Sequence, residues 1–491
     1  MSSCPLRPSL PLIVIIYAAL CLFWIGFADV VAPSIIAAAY NQRSLPVLNQ
    51  VFQGHSSLPI EHYLDRWSLT ATAVLIGTIL HLVIVLFIRS IDRKHRLLLP
   101  STLRGGLCNN FFLIAFSAVF LALTVLSWVQ GDYRDYLGEW NVVLEGGNPW
   151  VDDANNAYGP LFNTLAPLVW INPLANKLLF AFLYLVYVIW LVKDFAPREG
   201  LVSRSWPWLS LWLLNPFPWV EIAYFGYFDI LVSLACVAAI HSLLDKKDGT
   251  AGVYLALGVL LKYVPIFIVP FLALNERRLH VRLLGFCIGI VSLGVAVSVL
   301  IWGTSTFLPL AFATARTPQW SIYSVLGSTD SLLRLFADSL STDWLEKPLL
   351  VTAGLGVFGW CVLRRTGLAL SAALAILVTL LFYRVGYINY QMVLFVLISY
   401  WIASEWKQLV DRYALAAVLG GYFCVLAILD FVSWSVQLTE DISAITKLTF
   451  SDMVLIKFLL GCALLVRLAT LSIHRCDFSG SDRYKQLTAD Y

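Results

Sequence analysis

The chain has 491 residues, 59% of them hydrophobic and 13% charged, with a formal net charge of +3. A protein in water carries about a quarter charged residues, and half that fraction leaves too little polar surface to coat a soluble domain. An ordinary water-soluble enzyme is therefore excluded, and so small and dispersed a charge gives no reason to expect a nucleic-acid partner.

In chain order, the run from Pro11 to Val31 is too long and too loosely bounded for a cleaved signal peptide and reads as a first membrane span. Apolar runs of spanning or near-spanning length follow at 68–88, 109–129, 172–192, 207–222, 228–244, 283–302, 347–363, 367–383, 390–404, 413–431 and 453–471. Basic clusters such as Arg93/Lys94/Arg96, Lys246/Lys247, Arg277/Arg278, Arg364/Arg365 and Lys407/Arg412 mark the cytoplasmic ends. The stretch from Ala251 to Leu274 has basic clusters on both sides, so it must return to the side it left. Its middle, Lys262-Tyr263-Val264-Pro265, predicts a helix break there. The expected fold class is an all-α polytopic membrane protein of roughly 12–14 helices with broken or re-entrant segments. Large outer loops fall at 33–66, 130–171, 303–346 and 432–452 and are where function is expected. The nine cysteines lie in apolar runs or beside basic clusters with no CxxC pair, so neither a disulfide framework nor a zinc site is expected.

Acids and aromatics are dense in the loop 130–171. Asp132, with Asp135 as a possible second carboxylate, falls just past an apolar run, where a half-desolvated acid suits general-base work; a solvated helix-ending acid has the same pattern. Tyr133, Tyr136 and Trp140 adjoin it and fit the walls of a sugar pocket. Gly146-Gly147-Asn148-Pro149-Trp150 and Tyr158-Gly159-Pro160-Leu161 close the loop. Further on, Asn215-Pro216-Phe217-Pro218-Trp219 predicts a helix pair broken at a proline turn, bringing Glu221 and Asp229 towards a cavity, although Asp229 alone is equally a cap. Lys262, Arg316 and Arg384 run against the positive-inside pattern. Each is either a snorkelling or ion-paired residue or one of several cations converging on a lipid phosphate. His55 and His62 have no metal-ligand spacing, and Trp302, Trp320, Trp344 and Trp434 read as interface belts.

Taken together and in this order, these residues resemble the GT-C superfamily of membrane glycosyltransferases, most of all the polyprenyl- or dolichyl-phosphate-mannose-dependent mannosyltransferases. The resemblance rests on Asp132, the Gly146–Trp150 turn, Tyr158 to Leu161, the Lys262-x-x-Pro265 break, Arg316 with Ser321 and Tyr323, and Arg384 and Val385 with Asn389 and Tyr390. It covers about 108–405, leaving residues 1–107 as an N-terminal two-span addition and 406–491 as a C-terminal two-span region with a cytoplasmic tail. It implies transfer of a hexose from a polyprenyl-phosphate donor to a lipid or glycan acceptor at the extracytoplasmic or luminal face of the plasma membrane or endoplasmic reticulum. In that scheme Asp132 is the base, and Arg384, Lys262 and Arg316 hold the donor phosphate. Tyr133, Tyr136, Trp140, Trp150, Tyr158, Asp229, Tyr323, Asn389 and Tyr390 line the sugar and acceptor pocket. Gln130 occupies the first slot of the Asp-x-Asp pattern of some relatives, so no metal and no cofactor is expected. A lipid or solute transporter or flippase is the competing class, since it too would carry many spans and broken helices.

Overall fold

The computed structural model describes residues 32–41, 101–152, 156–191, 215–275, 278–315, 318–326, 342–405, 419–427, 429–430 and 450–471, with a few isolated positions before residue 101. The expected spans at 10–32 and 68–88 fall almost wholly outside these residues, as do Arg316, His55 and His62.

The described chain is helical apart from one two-stranded antiparallel pair, β1 (Leu274–Asn275) with β2 (Arg278–Leu279). The longer helices are α1 (Ala32–Asn41), α2 (Ser101–Leu126), α3 (Asp132–Leu144), then the short α4 (Pro160–Asn163) and α5 (Pro167–Ile171), and α6 (Ala175–Trp190). After them come α7 (Pro216–Pro218), α8 (Asp229–Leu244), α9 (Asp248–Leu261), α10 (Val269–Ala273), α11 (Val281–Trp302), α12 (Leu308–Ala315) and α13 (Ile322–Leu326). The series ends with α14 (Thr342–Arg364), α15 (Leu368–Phe382), α16 (Gln391–Glu405) and α17 (Phe450–Leu471).

Two kinds of helix are distinguished by what covers them. Every residue of α15 from Ala369 to Leu381 is buried, and α16 is buried from Gln391 to Ala403. These two pack on one another and on α8 and α14 as the central layer. An all-round apolar helix is stable in such a place because no face meets water. By contrast, α11 buries only Leu283, Cys287 and Ser298, while Leu300 is 86% exposed and Val281, Ile288 and Leu293 are exposed as well. An apolar surface of that extent is tolerated in a bilayer and not in water. Among the described residues, Val281–Ala311, Glu346–Arg364 and Val454–Leu471 are long and apolar enough to cross a membrane, and Pro160–Ile171 with Ala175–Trp190, bent by 112°, makes a fourth if taken as one span. The chain is an integral membrane protein.

The expected break at Lys262 is present. α9 ends at Leu261, Lys262 takes extended backbone (φ −156, ψ 135), and the chain resumes as a 3-10 turn at Val264–Ile268. Pro265 accounts for the stop, since its ring would strike the Leu261 carbonyl if the helix ran on. The run before Asn215, and with it the expected break at the proline turn, lies outside the described residues; from there α7 is capped by the Asn215 side chain, which accepts from the Phe217 N–H, and a π-helical turn at Trp219–Tyr224 leads to Gly226 (φ 77) and α8. The segment 130–171, expected as an outer loop, carries the helices α3, α4 and α5 among its described residues.

Candidate active site

Asp132 opens α3, directly after Gly131 (φ 51), and is half-buried. It is therefore held by the start of the following helix, where the peptide dipoles favour a negative charge, and not by the end of the preceding one. The turn that delivers it is fixed from behind by Lys177 of α6. This buried ammonium donates to Ser127 Oγ (2.8 Å), the Trp128 carbonyl (2.7 Å) and the Tyr224 carbonyl (2.6 Å), and so ties the end of α2 to the π-helical turn. Sequence reasoning missed Lys177, although a lone lysine in the apolar run ANKLLFAFLYLVYVIW is the same signal that drew attention to Lys262.

Tyr133, Tyr136 and Trp140 are fully buried. Tyr133 Oη donates to the Pro173 carbonyl (2.7 Å) and Trp140 Nε1 to the Phe162 carbonyl (3.2 Å). With Phe162, Tyr158 and Phe228 they make one ring cluster, Trp140 stacked on Phe162 and the other contacts edge-to-face, so they form a packed wall behind the acid and not an open sugar-facing surface. Asp135 is exposed on the first turn of α3. Burial, with the Asp132 carboxylate adding to it, pushes the Tyr158 phenol well above its usual range, so that it stays protonated as a neutral donor beside the acid.

The Gly146–Trp150 turn positions Tyr158. Asn148 Oδ1 accepts from the Trp150 N–H (3.1 Å), and Asn148 Nδ2 donates to Ser305 Oγ (2.8 Å) and the Trp302 carbonyl (3.3 Å). Trp150 stacks edge-on against Trp302, and its Nε1 donates to the Tyr158 carbonyl (3.2 Å). The next residue, Gly159, donates from its N–H to the Leu261 carbonyl (3.0 Å), and a Cβ there would stand 2.1 Å from the Leu260 carbonyl oxygen. Only glycine lets this loop dock on the broken end of α9. Gly159→Ala is expected to lower stability by about 1–3 kcal/mol or more, because the clash is with backbone; an unchanged melting temperature in detergent would show that Leu260 gives way freely.

That docking brings Lys262 to Tyr158. Lys262 Nζ makes a buried ion pair with Asp229 Oδ1 at 2.6 Å and lies over the Tyr390 ring at 3.8 Å, with Phe228 and Tyr158 at 5.2 and 5.8 Å. Asp229 Oδ2 is buried without a hydrogen-bond partner among the described residues, and so is Asn389 Oδ1, next to Tyr390. Tyr390 packs on Tyr387, whose hydroxyl donates to Gln319 Oε1. The Gln319 N–H donates in turn to the Arg384 carbonyl (3.0 Å). Arg384 Nε faces Glu346 Oε2 at 3.1 Å, and Tyr323 Oη donates to the Phe382 carbonyl (3.3 Å) nearby. Trp320 is buried within this junction, so the interface-belt reading of it does not hold.

The circuit closes through acids. Asp132 is in electrostatic reach of Tyr158, Tyr136, Glu221 and Asp430, and Glu221 and Asp430 are both buried. Asp430 is in electrostatic reach of Lys457, which donates to the Gly386 carbonyl beside Arg384. Tyr158, Asp229, Lys262, Tyr390, Tyr323 and Arg384, drawn from widely separated parts of the chain, thus belong to one connected region, and Asp132 is in electrostatic reach of it through Tyr158. Glu346, Asp430 and Lys457 were not singled out from the sequence.

Among the described residues no group of three or more His, Cys, Asp or Glu side chains is arranged to hold a metal ion. Searches among curated proteins and solved structures give no match. Residues 156–386, which include Tyr158, Asp229, Lys262, Tyr323 and Arg384 but neither Asp132 nor Tyr390, match the family model of glycosyltransferase family 87, and this supports a membrane glycosyltransferase of the GT-C type.

Proposed function

We propose that this protein transfers a hexose, mannose before others, from a polyprenyl- or dolichyl-phosphate donor to a lipid or glycan acceptor at the extracytoplasmic or luminal face, with inversion at the anomeric carbon. The bundle would be of GT-C type with roughly 12–14 spans, its catalytic core at about 108–405. The observation that carries the reading is the connected region itself: it holds two buried or half-buried cations and the break at Lys262, and one half-buried carboxylate is in electrostatic reach of it.

Asp132 takes the proton of the acceptor hydroxyl as the acceptor oxygen attacks the anomeric carbon from the face opposite the phosphate. The bond from that carbon to the phosphate oxygen breaks, and the electron pair leaves with the polyprenyl phosphate. Through an oxocarbenium-like transition state this is the single-displacement counterpart of inverting glycoside hydrolysis. Negative charge grows on the departing phosphate, so fixed cations act where it develops, and in a partly dry site they act more strongly than in water. Arg384 is the principal phosphate ligand. Its pair with Glu346 engages Nε, one of five N–H donors on a planar fork suited to phosphate. Lys262 is paired with Asp229 and has Tyr390 beneath it, and it contributes a second positive centre, with Arg316 a third candidate. Two cations on a monophosphate leave no need for a metal. Tyr158, Tyr323, Asp229, Asn389 and Tyr390 supply contacts to sugar and acceptor.

The test is the purified protein with a panel of polyprenyl-phosphate sugars and membrane lipid extract, scored by product mass. A hexosylated lipid is expected from the mannose donor. Counter-flow of labelled lipid or solute in proteoliposomes without any glycosidic product would overturn the proposal in favour of a transporter. Arg384→Ala is expected to raise the donor KM about 10- to 100-fold, the loss of a charge-assisted contact worth about 1.5–3 kcal/mol. Unchanged donor dependence would remove Arg384 from the phosphate site.

A further inference from the structure

We propose that Lys457, on α17 and outside the stretch that matches the family, is a positioning residue that sets the Arg384 loop for the donor phosphate. The inference rests on the reading of Arg384 above.

Lys457 is 3% exposed, and its Nζ donates to the Trp320 carbonyl at 2.8 Å and to the Gly386 carbonyl. Those two carbonyls belong to different segments, the one leading to Ser321 and Tyr323 and the one bearing Arg384. The segments are joined to each other as well. The Gln319 N–H donates to the Arg384 carbonyl (3.0 Å), the Gly386 N–H donates to the Gln319 carbonyl (2.9 Å), and Gln319 and Val385 form an isolated parallel bridge. Two backbone bonds alone are a weak clasp, and one ammonium spanning both strands locks it. The fit is close: a Cβ on Gly386 would stand 2.7 Å from the Trp320 carbonyl oxygen and 2.9 Å from Lys457 Nζ. Trp320 is held at φ 54, a left-handed conformation that bulky residues rarely adopt, at the point where its carbonyl meets the ammonium.

A neutral donor could satisfy carbonyls, whereas a buried ammonium is costly unless its charge is compensated. Asp430 is within electrostatic reach of Lys457. Two residues along the loop from Gly386, Arg384 is turned to Glu346 (3.1 Å), and the direction of its guanidinium depends on the loop that Lys457 fixes.

The experiment is a binding titration of the full-length protein in detergent with a short-chain polyprenyl monophosphate, on Lys457→Met, Arg384→Ala and the double variant, with the melting temperature of each. Lys457→Met is expected to weaken binding about tenfold, and to add less than about twofold once Arg384 is alanine, because residues acting through one another are not additive. A purely structural lysine would lower the melting temperature and leave affinity alone. A folded Lys457→Met with wild-type affinity, or a full tenfold loss on top of Arg384→Ala, overturns the inference. If Arg384→Ala itself binds normally, it is the phosphate reading of Arg384 that fails. Should Lys457→Met not fold, Lys457→Gln decides: weaker binding that disappears in the Arg384→Ala background supports the inference, and unchanged binding sinks it.

Discussion

Asp132→Asn is expected to reduce transfer on the order of 10²- to 10⁴-fold, the range by which a positioned general base accelerates proton removal. The substitution keeps the size and shape of the side chain and removes only its ability to take a proton. Its structural cost is small, because Asp132 is half-buried at the first turn of α3, where losing a charge at a helix N-terminus costs about 0.3–1 kcal/mol. Lys177 and Tyr133 hold the surrounding turn through backbone contacts that do not involve the carboxylate. The rate at saturating donor and acceptor should therefore fall while the donor affinity and the melting temperature stay near those of the parent. Asp135→Asn is the control: that side chain is exposed, and its loss should change the rate by less than about threefold, within the small effects usual for surface substitutions. Turnover near the parental rate in Asp132→Asn would end its assignment as base, and a collapse confined to Asp135→Asn would transfer the role.

The break at Lys262 was legible because proline acts locally: Pro265 stops α9 whatever packs around it. The buried helices α8, α15 and α16 were legible as long apolar runs, and their edges fell within a few residues of the expected ones. Pairing was not legible. Nothing in the sequence says that Lys262 would meet Asp229 and not a distant acid, or that Glu346 would face Arg384, since both follow from how helices far apart in the chain are laid together. Lys177 and Lys457 carried the same signal as Lys262, a single cation in an apolar run, and were passed over because no neighbouring motif accompanied them. The aromatic residues of α3 misled for a related reason. Periodicity gives the face of a helix but not whether that face meets a pocket or a neighbour, and Tyr133, Tyr136 and Trp140 were taken by neighbours.

Breaking the Lys262–Asp229 pair one side at a time is expected to destabilise the protein by about 3–5 kcal/mol, because either partner alone is a buried charge without its counter-ion. The side chains are 5% and 1% exposed, so solvent cannot take over the lost contact. Lys262→Met keeps the stem over Tyr390 and strands Asp229, whose second oxygen already lacks a hydrogen-bond partner among the described residues. Asp229→Asn leaves the ammonium with an amide oxygen in place of a carboxylate. The double variant Lys262→Met/Asp229→Asn removes both charges together, and replacement of a whole buried pair is commonly near neutral for stability. Its melting temperature should accordingly recover most of what either single change loses. This recovery separates two roles that the single variants confound. If the pair serves only to hold the end of α9 against α8, the double variant should be both stable and active. If the ammonium also meets the donor phosphate, the double variant should be stable and yet bind a short-chain polyprenyl monophosphate at least about tenfold more weakly, the scale of one lost charge-assisted contact. Stability regained together with full donor affinity would remove Lys262 from the phosphate site and leave Arg384 as its principal cation.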